Sequence, residues 1–160
     1  MQTIPNIFLA GPTHFAPIIN NFKCYIEIMK HKRVYHLLLL LTDGTIHDQA
    51  ETKDLLVQLS DLPCSVIIFG LGDRCDFAAT EELAAVVDND RGQKGPIDGK
   101  GERIGSRPLV YFEHIEEIAE IEDPSTIQRN AFAAISDHFC SYIKWLELAP
   151  EPIQDNDSEE

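Results

Sequence analysis

Asp43, Asp73 and Asp76 are the residues whose type and placement could do chemistry. Each follows an apolar run that reads as a strand. In an open α/β sheet, ligands gather where the strands end. A carboxylate there can hold a cation, take up a proton or orient a polar ligand. Asp43 comes first, in Thr42-Asp43-Gly44, where it serves equally well as an ordinary turn residue.

Motif tests narrow the chemistry. Asp43-Gly44-Thr45 matches the end of the Asp-x-Asp-Gly-Thr loop of phosphotransfer enzymes of the haloacid dehalogenase type, but Leu41 stands where their nucleophile belongs. Gly99-Lys100 has Lys94 in place of the first glycine of a P-loop and Gly101 in place of its Ser/Thr. Asp88-x-Asp90 opens like a calcium loop, and Gly92 then takes the third ligand position. No Gly-x-Ser-x-Gly elbow exists. The four cysteines, at 24, 64, 75 and 140, form no Cys-x-x-Cys pair and read as free thiols. The six histidines, at 14, 31, 36, 47, 114 and 138, form no His-x-x-x-His pair, so zinc is a poor match. The expectation is a protein that is not an enzyme.

The elements that would position these residues alternate. Phe15, Ile18, Ile19, Phe22, Ile26 and Met29 give residues 14–30 one apolar helical face. Residues 34–41 are a run apolar on both faces, as suits a parallel strand covered by helices. Asp48 with Glu51 reads as the start of a second helix, carrying Leu55, Leu56 and Leu59 inward and stopping near Pro63. Residues 64–71 form a second strand, and Asp76 caps a third helix bearing Phe77, Leu83, Val86 and Val87. Residues 88–107 hold five of the nine glycines and read as loop, and 109–112 as a short third strand. Asp123-Pro124 opens a last helix that buries Ile127, Ala131, Ile135, Phe139, Ile143 and Leu146. This order predicts an α/β layer with a parallel sheet, strands adjacent in chain order and helices on both faces.

Composition bounds the partners. The 160 residues suit one domain, and 44% apolar residues can supply a core. Thirteen Lys+Arg against 27 Asp+Glu leave a net charge of −14. That argues against nucleic acid and against direct membrane binding through anionic headgroups. The longest strongly apolar run, Leu37–Leu41, is far short of the roughly 20 residues that span a bilayer. No basic n-region is visible at Met1–Pro5, so the expected location is cytoplasmic. From Glu151 onward there are five acids and no base, which reads as a solvated tail.

Four segments then carry a resemblance. Gly11-Pro12-Thr13-His14-Phe15-Ala16-Pro17-Ile18-Ile19-Asn20 resembles the Gly-Pro-Thr-Asn-Phe-Ala-Pro-Ile-Ile-Asn segment of copines. Leu40 to Asp48 resembles their Thr-Asp-Gly strand end, with Glu51-Thr52 in register. Leu62 to Gly72 is similar to their Leu-Pro-x-Ser-Ile-Ile-Ile-Val-Gly-Val-Gly run, and Asp76-Phe77-Ala78-Ala79 matches as well. The likeness runs over about residues 8–152.

The resemblance implies a truncated von Willebrand factor A-like, Rossmann-type three-layer domain with a mainly parallel sheet. It divides the chain into an atypical segment 1–10, a partial copine domain 11–149 and an acidic disordered tail 150–160. It implies a protein-interaction module or adaptor, coupled in longer relatives to calcium-dependent phospholipid binding and membrane-associated signalling. Calcium would act only through modules beyond this chain, and the location becomes cytoplasmic or peripheral to the plasma membrane. It also implies a divalent-cation site for Mg or Mn, to which Thr13 and Asp43 match. The Asp-x-Ser-x-Ser loop that would complete that site is not found before Thr13, so the expected binding is weak. His47 stands where copines usually have Ser, and the insert at 92–105 departs from their pattern.

Two other readings stand beside the module. One is a non-functional or partial copine fragment, which a genomic search upstream for the missing loop would distinguish. The other is a ubiquitin-ligase-related copine-like protein lacking its RING. The partners are expected to be proteins. The strand at 34–41 also lacks the neighbour that the resemblance places beside it, unless Thr3–Ala10 substitutes. It is therefore expected to be an open edge prone to self-association.

Overall fold

A computed structural model of the chain describes residues 11–72, 76–88, 94–115 and 123–148. The segment 1–10, Asp73 and the acidic tail lie outside the described residues. The elements are α1 (Ala16–Met29), β1 (His36–Thr42), α2 (Gln49–Leu59), β2 (Cys64–Leu71), α3 (Ala78–Ala84), β3 (Val87–Asp88), β4 (Lys94–Gly95), β5 (Val110–Ile115) and α4 (Pro124–Leu148).

The main sheet runs β1-β2-β5, parallel throughout, as the alternation predicts. His36 pairs with Cys64 and Thr42 with Gly70, and Val66 pairs with Val110. Successive side chains alternate between the two faces. Leu38, Leu40, Val66, Ile68 and Val110 therefore share one face, where they meet Ile19 and Ile26 of α1, Leu55, Leu56 and Leu59 of α2, and Leu83 of α3. That layer is the hydrophobic core. Helix α4 packs on the opposite face, against β2 and β5.

Local chemistry explains the element ends. Pro17 sits in the first turn of α1, where a missing N–H is no loss. A 3₁₀ turn, Lys30–Lys32, follows, and Arg33 at φ 51° turns the chain into β1. Asp123 accepts the Ser125 N–H at 3.0 Å, opening α4 as its Asp-Pro start predicts. Asp76 accepts the Ala78 N–H at 3.0 Å and caps the entry to α3.

Four expectations are corrected. Residues 88–107 are not plain loop. The short antiparallel pair β3–β4 and an Ile97–Ile104 bridge order part of them. The Asp98 carboxylate organises the turn, accepting the Glu102 N–H at 2.8 Å and Arg103 Nε at 3.0 Å. Burial alone would raise its pKa, but these donors hold it down at about 2. Helix α3 ends at Ala84, so Val86 and Val87 lie beyond it. The third main strand is Val110–Ile115 rather than 109–112. The α4 stripe is only partly buried: Phe139, Ile143 and Leu146 stay 43%, 37% and 45% exposed.

Candidate functional site

The loops at the C-terminal end of β1 hold both matched cation-site residues. Thr13 forms a parallel bridge with Ile46. The His47 N–H donates to the Thr13 carbonyl at 2.9 Å, and the Thr13 N–H donates to His47 Nδ1 at 3.1 Å. That second bond makes Nδ1 the acceptor of the ring and puts the proton of the neutral form on Nε2. Asp43 lies three residues before Ile46 and is exposed, while Thr13 is half-buried. The two residues thus share one end of the sheet, and among the described residues no hydrogen bond joins their side chains.

Asp48 departs from its expected part. It precedes α2, yet its carboxylate reaches across to α1. Oδ1 accepts the Phe15 N–H at 3.0 Å and Oδ2 the Ala16 N–H at 2.8 Å. Thr52 Oγ1 donates to Oδ1 at 3.3 Å, and His14 Nδ1 lies 3.5 Å from Oδ2. A carboxylate at the N-terminus of a helix satisfies orphan N–H groups and favours the helix dipole. The Asp48 side chain is 7% exposed and saturated by these donors, so it is not on offer to a cation.

A divalent cation of the magnesium type wants near-octahedral oxygen ligands. Thr13 supplies one hydroxyl and Asp43 one carboxylate. Among the described residues no group of three His, Cys, Asp or Glu side chains could hold a metal. Thr13 and Asp43 by themselves supply only two of the oxygen ligands that such a shell needs.

A second polar cluster lies at the other end of the sheet and was not legible in the sequence. Arg107, 2% exposed, donates to the carbonyls of Leu62, Cys64 and Pro108. Its guanidinium carbon sits 5.1 Å from the Tyr142 ring centre. Tyr35 donates to the Cys64 carbonyl at 2.8 Å and lies 2.9 Å from Ser65 Oγ, which is 3.2 Å from His138 Nδ1. Burial pushes the Cys64 thiol up to about 12. Burial, then the Arg107 charge, lowers His138 to about 4, so the ring is neutral at ordinary pH. A lone arginine before a strand gives no sign in sequence that it will be buried.

An apolar groove of about 500 Å³ lies between the β1–β2 face and the first half of α4. Leu37, Leu39, Ile67 and Phe69 face Ile127, Ala131, Phe132 and Ile135 across it. Among the described residues β1 pairs on one side only. Leu37, Leu39 and Leu41 are accordingly 51%, 58% and 64% exposed, far more than a central strand allows.

A parallel α/β sheet with helices on both faces, its loops gathered at the strand ends, defines a Rossmann-like domain of the von Willebrand factor A-like type. A model of the copine family matches residues 1–151, and the chain belongs to that family. It is similar to Protein BONZAI 1 of Arabidopsis thaliana, 34% identical over 149 residues, which is 92% of this chain and 24% of that protein. Protein BONZAI 2 of the same plant is 33% identical over 147 residues, 91% of this chain and 24% of that protein. Nicotinic receptor-associated protein 1 of Caenorhabditis elegans is 32% identical over 164 residues, 96% of this chain and 24% of that protein. The chain thus spans 24% of the length of each of these relatives. It is a copine-family domain, and none of its described helices is long and apolar enough to cross a membrane.

Proposed function

We propose that this chain works as a non-catalytic docking module that receives a polypeptide strand along β1. The observation that carries the reading is that, among the described residues, β1 pairs on one side only, above an apolar groove. A strand laid on that edge satisfies backbone groups, and its inward side chains fill the groove beside Leu37 and Leu39. The partner is a protein; an acidic chain of net charge −14 does not recruit nucleic acid or bind anionic lipid directly. Calcium-dependent phospholipid binding, and any place at the plasma membrane, belong on this reading to the larger polypeptide of which such domains form a part.

Hydrogen exchange on the purified full chain tests the strand reading. In dilute monomer, the β1 amides that point away from β2 are expected to exchange much faster than those of β2. Equal protection of both strands in a monomer would overturn the reading.

The divalent site on this reading is vestigial. Thr13 and Asp43 can hold Mg or Mn only weakly, because two oxygen ligands leave most of the coordination shell to water. Isothermal titration with magnesium or manganese is expected to show no tight site. Submicromolar binding abolished by Asp43→Ala would show instead that the chain completes the shell by itself.

A further inference from the structure

A second groove lies at the N-terminal ends of the strands, far from the Thr13–Asp43 loops. It encloses about 470 Å³ between the approach to β1, the turn before β2 and the second half of α4. Val34, Leu62, Phe139, Ile143 and Leu146 wall it with apolar surface, and Lys30 and Arg33 reach its rim. Phe139, Ile143 and Leu146 fall at i, i+4 and i+7, so they form one stripe of α4. Their partial exposure leaves that stripe uncovered over two turns.

Its electrostatics run against those of the chain. Lys30, Lys32 and Arg33 place three of the 13 Lys+Arg within four positions of a molecule of net charge −14. None of the three joins an ion pair among the described residues. The acid that lines the groove, Asp61, accepts the Ser106 hydroxyl at 2.6 Å. Beneath the groove, Arg107 donates to carbonyl oxygens, its Nε has no partner, and no carboxylate among the described residues answers its charge. Tyr142, over which it lies, is itself a wall of the groove. The apolar trough therefore has two cations, Lys30 and Arg33, against the single carboxylate of Asp61 at its margin, and a buried cation beneath it.

We propose that this groove docks an acidic amphipathic helix of a partner protein. Its apolar side would lie along Phe139, Ile143 and Leu146, and its carboxylates would face Lys30 and Arg33. The helical stripe suits ridge-into-groove packing against another helix. Charge complementarity selects the sign of the partner, since a basic helix would meet the rim with repulsion. A bilayer surface is the weaker fit, because it would meet the acidic field of the whole chain rather than this trough alone. This inference rests on reading the domain as an interaction module but not on the β1 edge. Exchange at β1 and binding here probe different parts of the sheet, so either can fail alone.

Fluorescence anisotropy on the full chain tests it. The probe is a labelled helical peptide with leucines along one face and glutamates elsewhere, compared with its lysine counterpart. The glutamate peptide is expected to bind, and to lose about tenfold or more in affinity against K30E/R33E, where both changes are on exposed residues. Ile143→Ser should weaken it similarly, and raised salt should weaken it further. Three results would overturn the proposal. One is equal binding of the lysine peptide; another is no loss in K30E/R33E. The third is Lys30- and Arg33-dependent binding of phosphatidylserine vesicles while the peptide fails to bind.

Discussion

His138 ties the chemistry of one buried ring to the stability of the fold. Its pKa falls from an ordinary 6.5 to about 4, first because burial disfavours the imidazolium and then because Arg107 repels it. The native state therefore binds its proton later than the unfolded chain does as pH falls. Stability from this site is complete above about pH 6.5, declines between 6.5 and 4, and amounts to about 3 kcal/mol at most. Facing the ring are Ser65, whose Oγ lies 3.2 Å away, the Arg107 cation, and Asp137, whose charge acts weakly in the opposite direction. Melting curves from pH 7 to 4 are expected to show Tm falling faster for the native chain than for His138→Gln. Parallel curves would mean that the ring does not titrate as its surroundings require. The sequence placed this histidine on α4 but could not place it against Arg107, because that contact joins residues on separate elements. Asp48 teaches the same lesson. Its type and position mark a helix start correctly, but its carboxylate serves a helix that begins 32 residues earlier.

At the scale of elements, Gly70 shows how closely β2 and the residue that leads into α3, Phe77, meet. A Cβ built there would lie 2.8 Å from the Phe77 ring. Phe77 is buried and packs on Phe112 at 5.8 Å and His114 at 4.6 Å between ring centroids, so it has little room to yield. Gly70→Ala is expected to destabilise the domain by about 1–3 kcal/mol through overpacking. Urea unfolding measures this, and an unchanged midpoint would show that Phe77 can rotate aside. The main elements themselves were legible because their signals are local. Runs such as Val66–Phe69 and the 3.6-residue period of α4 do not depend on tertiary context. Burial of those elements was less legible. Periodicity identifies the apolar stripe of α4 but not what lies across from it, and Phe139, Ile143 and Leu146 remain half-open. The order of the glycine-rich stretch is hidden in the sequence for a related reason. Its order comes from Asp98 and from short pairings that have no hydrophobic period.

The whole molecule must reconcile a main sheet of three strands among the described residues with a large apolar face. A parallel sheet is normally covered on both sides and closed at its edges by other structure. Here β2, the middle strand, is buried along nearly its whole length, whereas β1 alternates half-buried and exposed leucines and pairs on one side among the described residues. The β1 run Leu37–Leu41 contains no charge and no proline, the two devices that usually discourage edge-to-edge pairing. A net charge of −14 opposes association at long range, but it is screened within about 10 Å at 0.1 M salt. Contact along an uncharged edge is then governed by the leucines and by backbone groups that no described strand pairs. We therefore expect the isolated chain at moderate salt to self-associate or to be poorly soluble. We also expect Leu39→Lys, which puts a charge on the exposed edge, to shift it toward monomer. Size-exclusion chromatography with light scattering on both proteins reads this directly. A stable, cooperatively unfolding monomer of the native chain at all concentrations would refute the open-edge argument and imply that residues 3–10 close the sheet.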